Sequence, residues 1–161
     1  MGMDVFGKKA EGEKGHYFRN NVWWWRPLWD YTCEVAGVYI GPAVADGGHS
    51  NSGDGLDGPT SRKVAKLLRA ELESGRTKAY AEKYAAELAQ IPQQECELCG
   101  GTGTRSKPVP GDPGWKPKPG ECNGCDGKGK KDAIETWYPF SVENVTEWVE
   151  FLEHCDGFEI Y

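Results

Sequence analysis

The chain has 161 residues, a formal net charge of −6 at pH 7, and 38% hydrophobic, 27% charged and 12% aromatic residues. Such a length and composition fit a folded domain, alone or with a small module, and exclude a disordered chain. The acidic balance argues against nucleic acid as a partner, because nucleic-acid binders gather Lys and Arg on one face. No run of about 18 apolar residues offers a membrane span.

The N-terminus, Met1-Gly2-Met3-Asp4-Val5-Phe6, has neither the basic region nor the apolar core of a secretion signal. Phe6 stands where a myristoylation signal needs Ser or Thr. The expected location is therefore the cytoplasm.

Along the chain, Met1, Met3 and Val5 alternate on one face and predict a strand over Met1–Gly7. Lys8–Gly15 is polar and predicts a loop. Tyr17–Trp25 is strongly aromatic, and Pro27 suits the first position of a helix on whose face Leu28, Tyr31 and Val35 line up. Gly37 stops that helix, and Val38–Ile40 reads as a short strand. Gly41–Pro59 is rich in Gly, Ser, Asn and Asp and reads as loop.

From Thr60 to Ser74, Val64, Leu67, Leu68 and Leu72 fall together at helical spacing, with Gly75 beyond the end. Thr77–Gln90 stacks Tyr80, Tyr84 and Leu88 four residues apart and exits at Pro92. The short link predicts a helical hairpin. For the last helix, Ser141 is the cap, Phe140 and Val145 form a hydrophobic staple, and Val145, Trp148, Val149 and Leu152 make the buried face. Phe158–Tyr161 then predicts a closing strand beside Met1–Gly7. The expected fold class is α+β: a small helix-rich domain with a short sheet, spanning 1–94 plus 131–161, into which residues 95–130 insert a zinc-binding β-hairpin module.

That module rests on a repeat. Cys96-Glu97-Leu98-Cys99-Gly100-Gly101-Thr102-Gly103 and Cys122-Asn123-Gly124-Cys125-Asp126-Gly127-Lys128-Gly129 are both CxxCxGxG. A CxxC turn aims two thiolates at one ion, and two such turns complete a tetrahedral shell at about 2.3 Å per sulfur. Four cysteines leave no open coordination position, so Cys96, Cys99, Cys122 and Cys125 predict one structural zinc ion rather than a catalytic one. Between the halves, Thr104–Glu121 is rich in Pro, Gly and Lys and reads as an exposed tongue carrying Trp115. Cys33 and Cys155 fall on helical faces and read as buried apolar thiols.

A second group is expected to bind a ligand or partner. Trp23, Trp24 and Trp25 run consecutively, so they cannot all face one core, and Arg26 sits among them. The loop Asn51–Gly58 leads into a helix, where glycine N–H groups are able to meet an anion. The candidate residues are Trp23, Trp24, Arg26, Asn51, Asp54 and Gly55, expected to line one pocket. It is not a Walker loop, since no Gly-Lys-Ser/Thr follows, nor an EF-hand, since Gly53 and Gly55 replace carboxylates. His49 with Asp46 or Asp54 is the only candidate acid–base pair; no Gly-x-Ser-x-Gly elbow occurs. The chain is not expected to be an enzyme.

The paired repeats resemble half of the cysteine-rich region of the DnaJ (Hsp40) co-chaperones, which carries four such repeats and two zinc ions. The resemblance covers Cys96–Gly129 only, and the His-Pro-Asp signature of their J-domain is absent here, so it implies metal binding and no co-chaperone activity. Across its length the chain is similar to a family of small proteins from bacteriophages and their bacterial hosts. The carrying residues are Met1-Gly2-Met3-Asp4-Val5-Phe6-Gly7, Trp23-Trp24-Trp25-Arg26-Pro27, Gly53-Asp54-Gly55-Leu56 and Gly157-Phe158-Glu159-Ile160. That resemblance implies an accessory role for a mobile element, and no particular activity. Two functions stay open: a non-catalytic zinc-binding protein that binds a host protein, or a binder or hydrolase of a small anionic ligand such as a nucleotide.

Overall fold

A computed structural model describes residues 2–105 and 121–161. The expected tongue and its Trp115 fall largely outside the described residues, as does Met1. The chain divides into two compact units, one of Met1–Ala86 with Tyr138–Tyr161 and one of Glu87–Trp137. The fold class is α+β.

In the larger unit, β1 (Gly2–Gly7), β2 (Tyr17–Asn21), β3 (Gly55–Asp57) and β6 (Gly157–Ile160) form one antiparallel sheet in the order β2-β1-β6-β3. Alternation fixes the buried side: Met3, Val5, Phe18, Phe158 and Ile160 are buried, while Phe6, Tyr17 and Tyr161 stay exposed. The first and last strands pair as expected, Val5 opposite Ile160. Over the buried side lie α1 (Val22–Ala36), α3 (Gly58–Glu73) and α5 (Val142–His154). Trp25, Trp29, Trp148, Phe151 and Phe158 form the centre of the core. Trp25 stacks on Trp29 at 5.6 Å and meets Trp148 edge-on at 5.4 Å.

Helix ends follow side-chain chemistry. Ser141 caps α5 by accepting from the Asn144 amide at 3.1 Å, and Asp57 caps α3 by accepting from the Thr60 amide at 2.7 Å. The first helix departs from expectation. It begins at Val22, not near Pro27, because the Asn21 carboxamide accepts from the Trp23 and Trp24 amides at 3.0 and 3.1 Å. Pro27 thus lies in the second turn, where it forfeits the one bond its nitrogen would give the Trp23 carbonyl. Val38–Ile40 is not a strand either: Tyr39 and Ile40 donate to Ala36 and Gly37, closing turns that bury Ile40 and leave Val38 outside. Nor is Gly41–Pro59 all loop, since it holds α2 (Pro42–Gly47), with a proline at its start, and β3.

After a link at Ser74–Gly75, α4 (Arg76–Ala89) begins in this unit. Tyr80 packs on Tyr31 and Phe140 with ring centroids 4.6 and 4.8 Å away, and Tyr84 donates to the Tyr138 carbonyl. The smaller unit contains a two-stranded sheet of β4 (Gln94–Glu95) and β5 (Lys130–Lys131), with Glu95 opposite Lys130. It also contains a short 3-10 turn at Ile134–Trp137.

Candidate metal centre

The strands β4 and β5 end where the two CxxC turns begin and finish, so their pairing brings the repeats together. Cys96 donates its amide to the Gly129 carbonyl at 2.9 Å, and Cys122 donates to the Gly103 carbonyl at 2.8 Å. Each half supplies the same bond to the other. Within a half, the amides of Cys99 and Gly101 both reach the Cys96 carbonyl, and those of Cys125 and Gly127 reach the Cys122 carbonyl. The repeat in sequence has become a near two-fold repeat in space.

Gly103 and Gly129 explain why the last glycine of each motif is needed. Their φ values are +73° and +75°, which favour glycine. A Cβ on Gly103 would stand 2.2 Å from the Gly127 carbonyl oxygen, and one on Gly129 would stand 2.2 Å from that of Gly101. Freed to approach, the Gly103 amide donates to Cys99 Sγ at 3.3 Å and the Gly129 amide donates to Cys125 Sγ at 3.2 Å. Such donors favour the thiolate, the form that ligates metal.

All four sulfurs lie within 4.8 Å of one another. Cys96 and Cys122 stand 3.9 Å apart, and Cys99 and Cys125 stand 3.8 Å apart. A zinc–sulfur bond of about 2.3 Å in a tetrahedron requires sulfurs about 3.8 Å apart. The four cysteines are free thiols rather than disulfides. Residues of this type at these distances fit a metal ion such as zinc. At Cys99, burial raises the thiol, but the Gly103 amide and the neighbouring sulfurs outweigh it and lower it to about 7. At Cys125, burial dominates and, with hydrogen bonds among the sulfurs, pushes the thiol up to about 11. Like groups this close lose protons in sequence, and a cation that needs all four thiolates removes that conflict.

The other candidate residues take different places. Trp23 and Arg26, three apart on α1, both meet Tyr138: the rings of Trp23 and Tyr138 are 4.8 Å apart, and Arg26 donates to the Tyr138 hydroxyl at 2.9 Å. Trp24 is half-buried, and its carbonyl accepts from Asn144 at 3.4 Å. It is Trp25 and Trp29 that face the turn leading into the 51–58 loop, donating to the carbonyls of Gly48 and Ala45. The loop itself is sewn to the sheet. Asn51 donates to the Gly2 carbonyl, the Gly53 amide donates to Ile160, and Gly55 pairs with Glu159. Asp54 accepts from the Ser52 hydroxyl at 2.6 Å. Arg26 thus reaches Tyr138, while Asn51 reaches Gly2, which pairs with the Asn21 that caps α1. His49 pairs with Asp30 at 3.1 Å, not with Asp46 or Asp54. Cys155 is fully buried and Cys33 partly so, and burial pushes the Cys33 thiol up to about 11.

No helix among the described residues is long and apolar enough to cross a membrane. Neither a family model, nor a curated protein, nor a solved structure matches the chain.

Proposed function

We propose that this chain is a non-catalytic zinc-binding protein, in which one structural zinc ion held by Cys96, Cys99, Cys122 and Cys125 folds a module that docks onto a partner protein. The observation that carries the reading is the set of four sulfurs within 4.8 Å. A shell of four thiolates leaves no position for water or substrate, which favours a structural ion over a catalytic one. Docking is supported by the same unit's display of apolar side chains: Leu98 inside the first CxxC turn is 51% exposed, and Ile134 is 54% exposed. Free thiols in paired CxxC turns suit a reducing cytoplasm. The resemblance to small phage and host proteins favours an accessory role for a mobile element, with a host protein as the partner.

Elemental analysis of purified protein tests the first half. One zinc per chain is expected, falling well below one in Cys99→Ser, because a hydroxyl is a poor ligand in a soft closed site. Iron in place of zinc, or a folded module with no metal, overturns the reading. The docking half predicts that Leu98→Asp keeps its zinc yet loses a host protein captured by the wild type. Identical capture by both removes the module as the docking element.

A further inference from the structure

The sheet of the larger unit has an edge whose chemistry matches itself. Asp4 and Tyr161 exchange both main-chain bonds, at 2.8 and 2.7 Å, so Asp4 and, by alternation, Phe6 direct their peptide groups towards β6. Met3, Val5 and Gly7 then direct theirs towards β2, and the Gly7 amide does donate to the His16 carbonyl at 3.1 Å. With Val5 opposite Phe18 and Met3 opposite Asn20, Phe18 and Asn20 use their peptide groups on β1. Tyr17 and Arg19 are left pointing outward. Both residues are exposed, and no main-chain bond engages their amides or carbonyls among the described residues. Edge strands of this kind are templates for another strand.

We propose that the outer edge of β2 pairs antiparallel with the same edge of a second copy of this chain, Tyr17 opposite Arg19 of that copy and Arg19 opposite its Tyr17. Symmetry about Phe18 selects this register. It sets outward-facing residues against outward-facing residues, so each pair exchanges both of its N–H···O bonds. A register that set Arg19 against Arg19 would oppose like charges. A charge on an edge strand ordinarily discourages pairing. Here the charge is already paired within its own chain, Arg19 Nε lying 3.4 Å from the Asp4 carboxylate, and in the proposed register it faces the second copy's Tyr17 rather than another cation. The side chains of Tyr17 and Arg19 share the open face of the sheet with Phe6 and Tyr161, and the ring of Phe6 is 5.1 Å from Tyr17 and 6.2 Å from Tyr161. Pairing would join two such aromatic patches, each with Phe6 46%, Tyr17 46% and Tyr161 50% exposed, into one face across the two-fold axis.

Sedimentation across a dilution series of the full, metal-loaded chain tests this. A reversible monomer–dimer equilibrium is expected, with the Tyr17 and Arg19 amides protected from hydrogen exchange in the dimer. Arg19→Pro should be monomeric with unchanged circular dichroism and metal content, since the Arg19 nitrogen faces outward and makes no ladder bond. If that variant misfolds, Tyr17→Lys gives the same reading by setting lysine against arginine. A wild-type monomer at the highest concentration, or a dimer that survives either folded variant, overturns the proposal. So does protection of these amides only on adding a foreign peptide, which would assign the edge to a partner's strand. The test reads the larger unit, so its failure leaves the zinc reading untouched.

Discussion

In the larger unit, Trp25, Trp29, Trp148, Phe151 and Phe158 are wholly buried, whereas the buried apolar side chains described in Glu87–Trp137 are Cys96, Cys122, Cys125 and Ala133. Ordering a residue costs about 1–2 kcal/mol of backbone entropy wherever it sits. The first unit offsets that by removing aromatic area from water, each full burial being worth roughly 1.5–3 kcal/mol. The second has too little area to do so. A structural zinc ion supplies roughly 10–16 kcal/mol in small zinc-finger modules, so the ion proposed for this site would stand in for a core of several large side chains. The two units should therefore fail under different insults.

The largest separation is expected from chelation. Removing zinc from the intact protein should abolish hydrogen-exchange protection of the Cys96, Cys122, Gly103 and Gly129 amides, while those of β1 and α5 stay protected. Replacing residues 95–130 by a short flexible linker should likewise leave a cooperatively melting protein. A molten product would show that the module belongs to the core after all. Trp148→Ala is the converse experiment. It should cost the larger unit about 3–5 kcal/mol, a large share of a typical domain's stability, read by denaturant unfolding, with zinc content retained in the folded fraction.

Gly129→Ala sharpens the comparison inside the module. A methyl group pressed against the Gly101 carbonyl, at a φ of +75°, should weaken zinc retention against a competing chelator by more than about 1 kcal/mol, leaving the larger unit's melting unchanged. The smallest effect concerns the Asp57 cap. Its hydrogen bonds to Thr60, side chain first and backbone second, hold the carboxyl below its usual range. The sign follows: this contribution is complete above the ordinary aspartate range and is lost as pH falls through the lowered folded value. Asp57→Asn keeps a capping acceptor and should remove that slope from the pH dependence of unfolding.

What the sequence revealed depended on how local the cause was. The helices α3, α4 and α5 and the Ser141 cap follow from spacing within one segment, and the four sulfurs follow from paired CxxC turns. The pairing of the first and last strands was also visible, because both alternate and both flank apolar segments. β2 was not. Its Tyr-Phe-Arg-Asn-Asn run has one buried side chain, Phe18, and becomes a strand because β1 lies beside it. The start of α1 was hidden by a strong local signal, Pro27, that a stronger one, the Asn21 cap, overrode. Asp30 as the partner of His49 is a tertiary fact with no sequence signature. The donation of glycine amides to sulfur had one: the fourth residue after the second cysteine is glycine in both halves.

The near two-fold repeat of the metal centre carries a consequence for how such a site is assembled and altered. The main-chain bonds between the halves are reciprocal, Cys96 to Gly129 and Cys122 to Gly103, and Gly103 and Gly129 each pass close to a carbonyl of the other half, Gly127 and Gly101. Covalent continuity through residues 106–120 is not among those bonds. A chain nicked there should keep the proposed ion, because the halves would be clasped through that ion and are bonded to each other. By the same reasoning, a peptide of one half alone should pair with itself around one such ion, and a duplication of such a half would be a short route to the module carried by this chain.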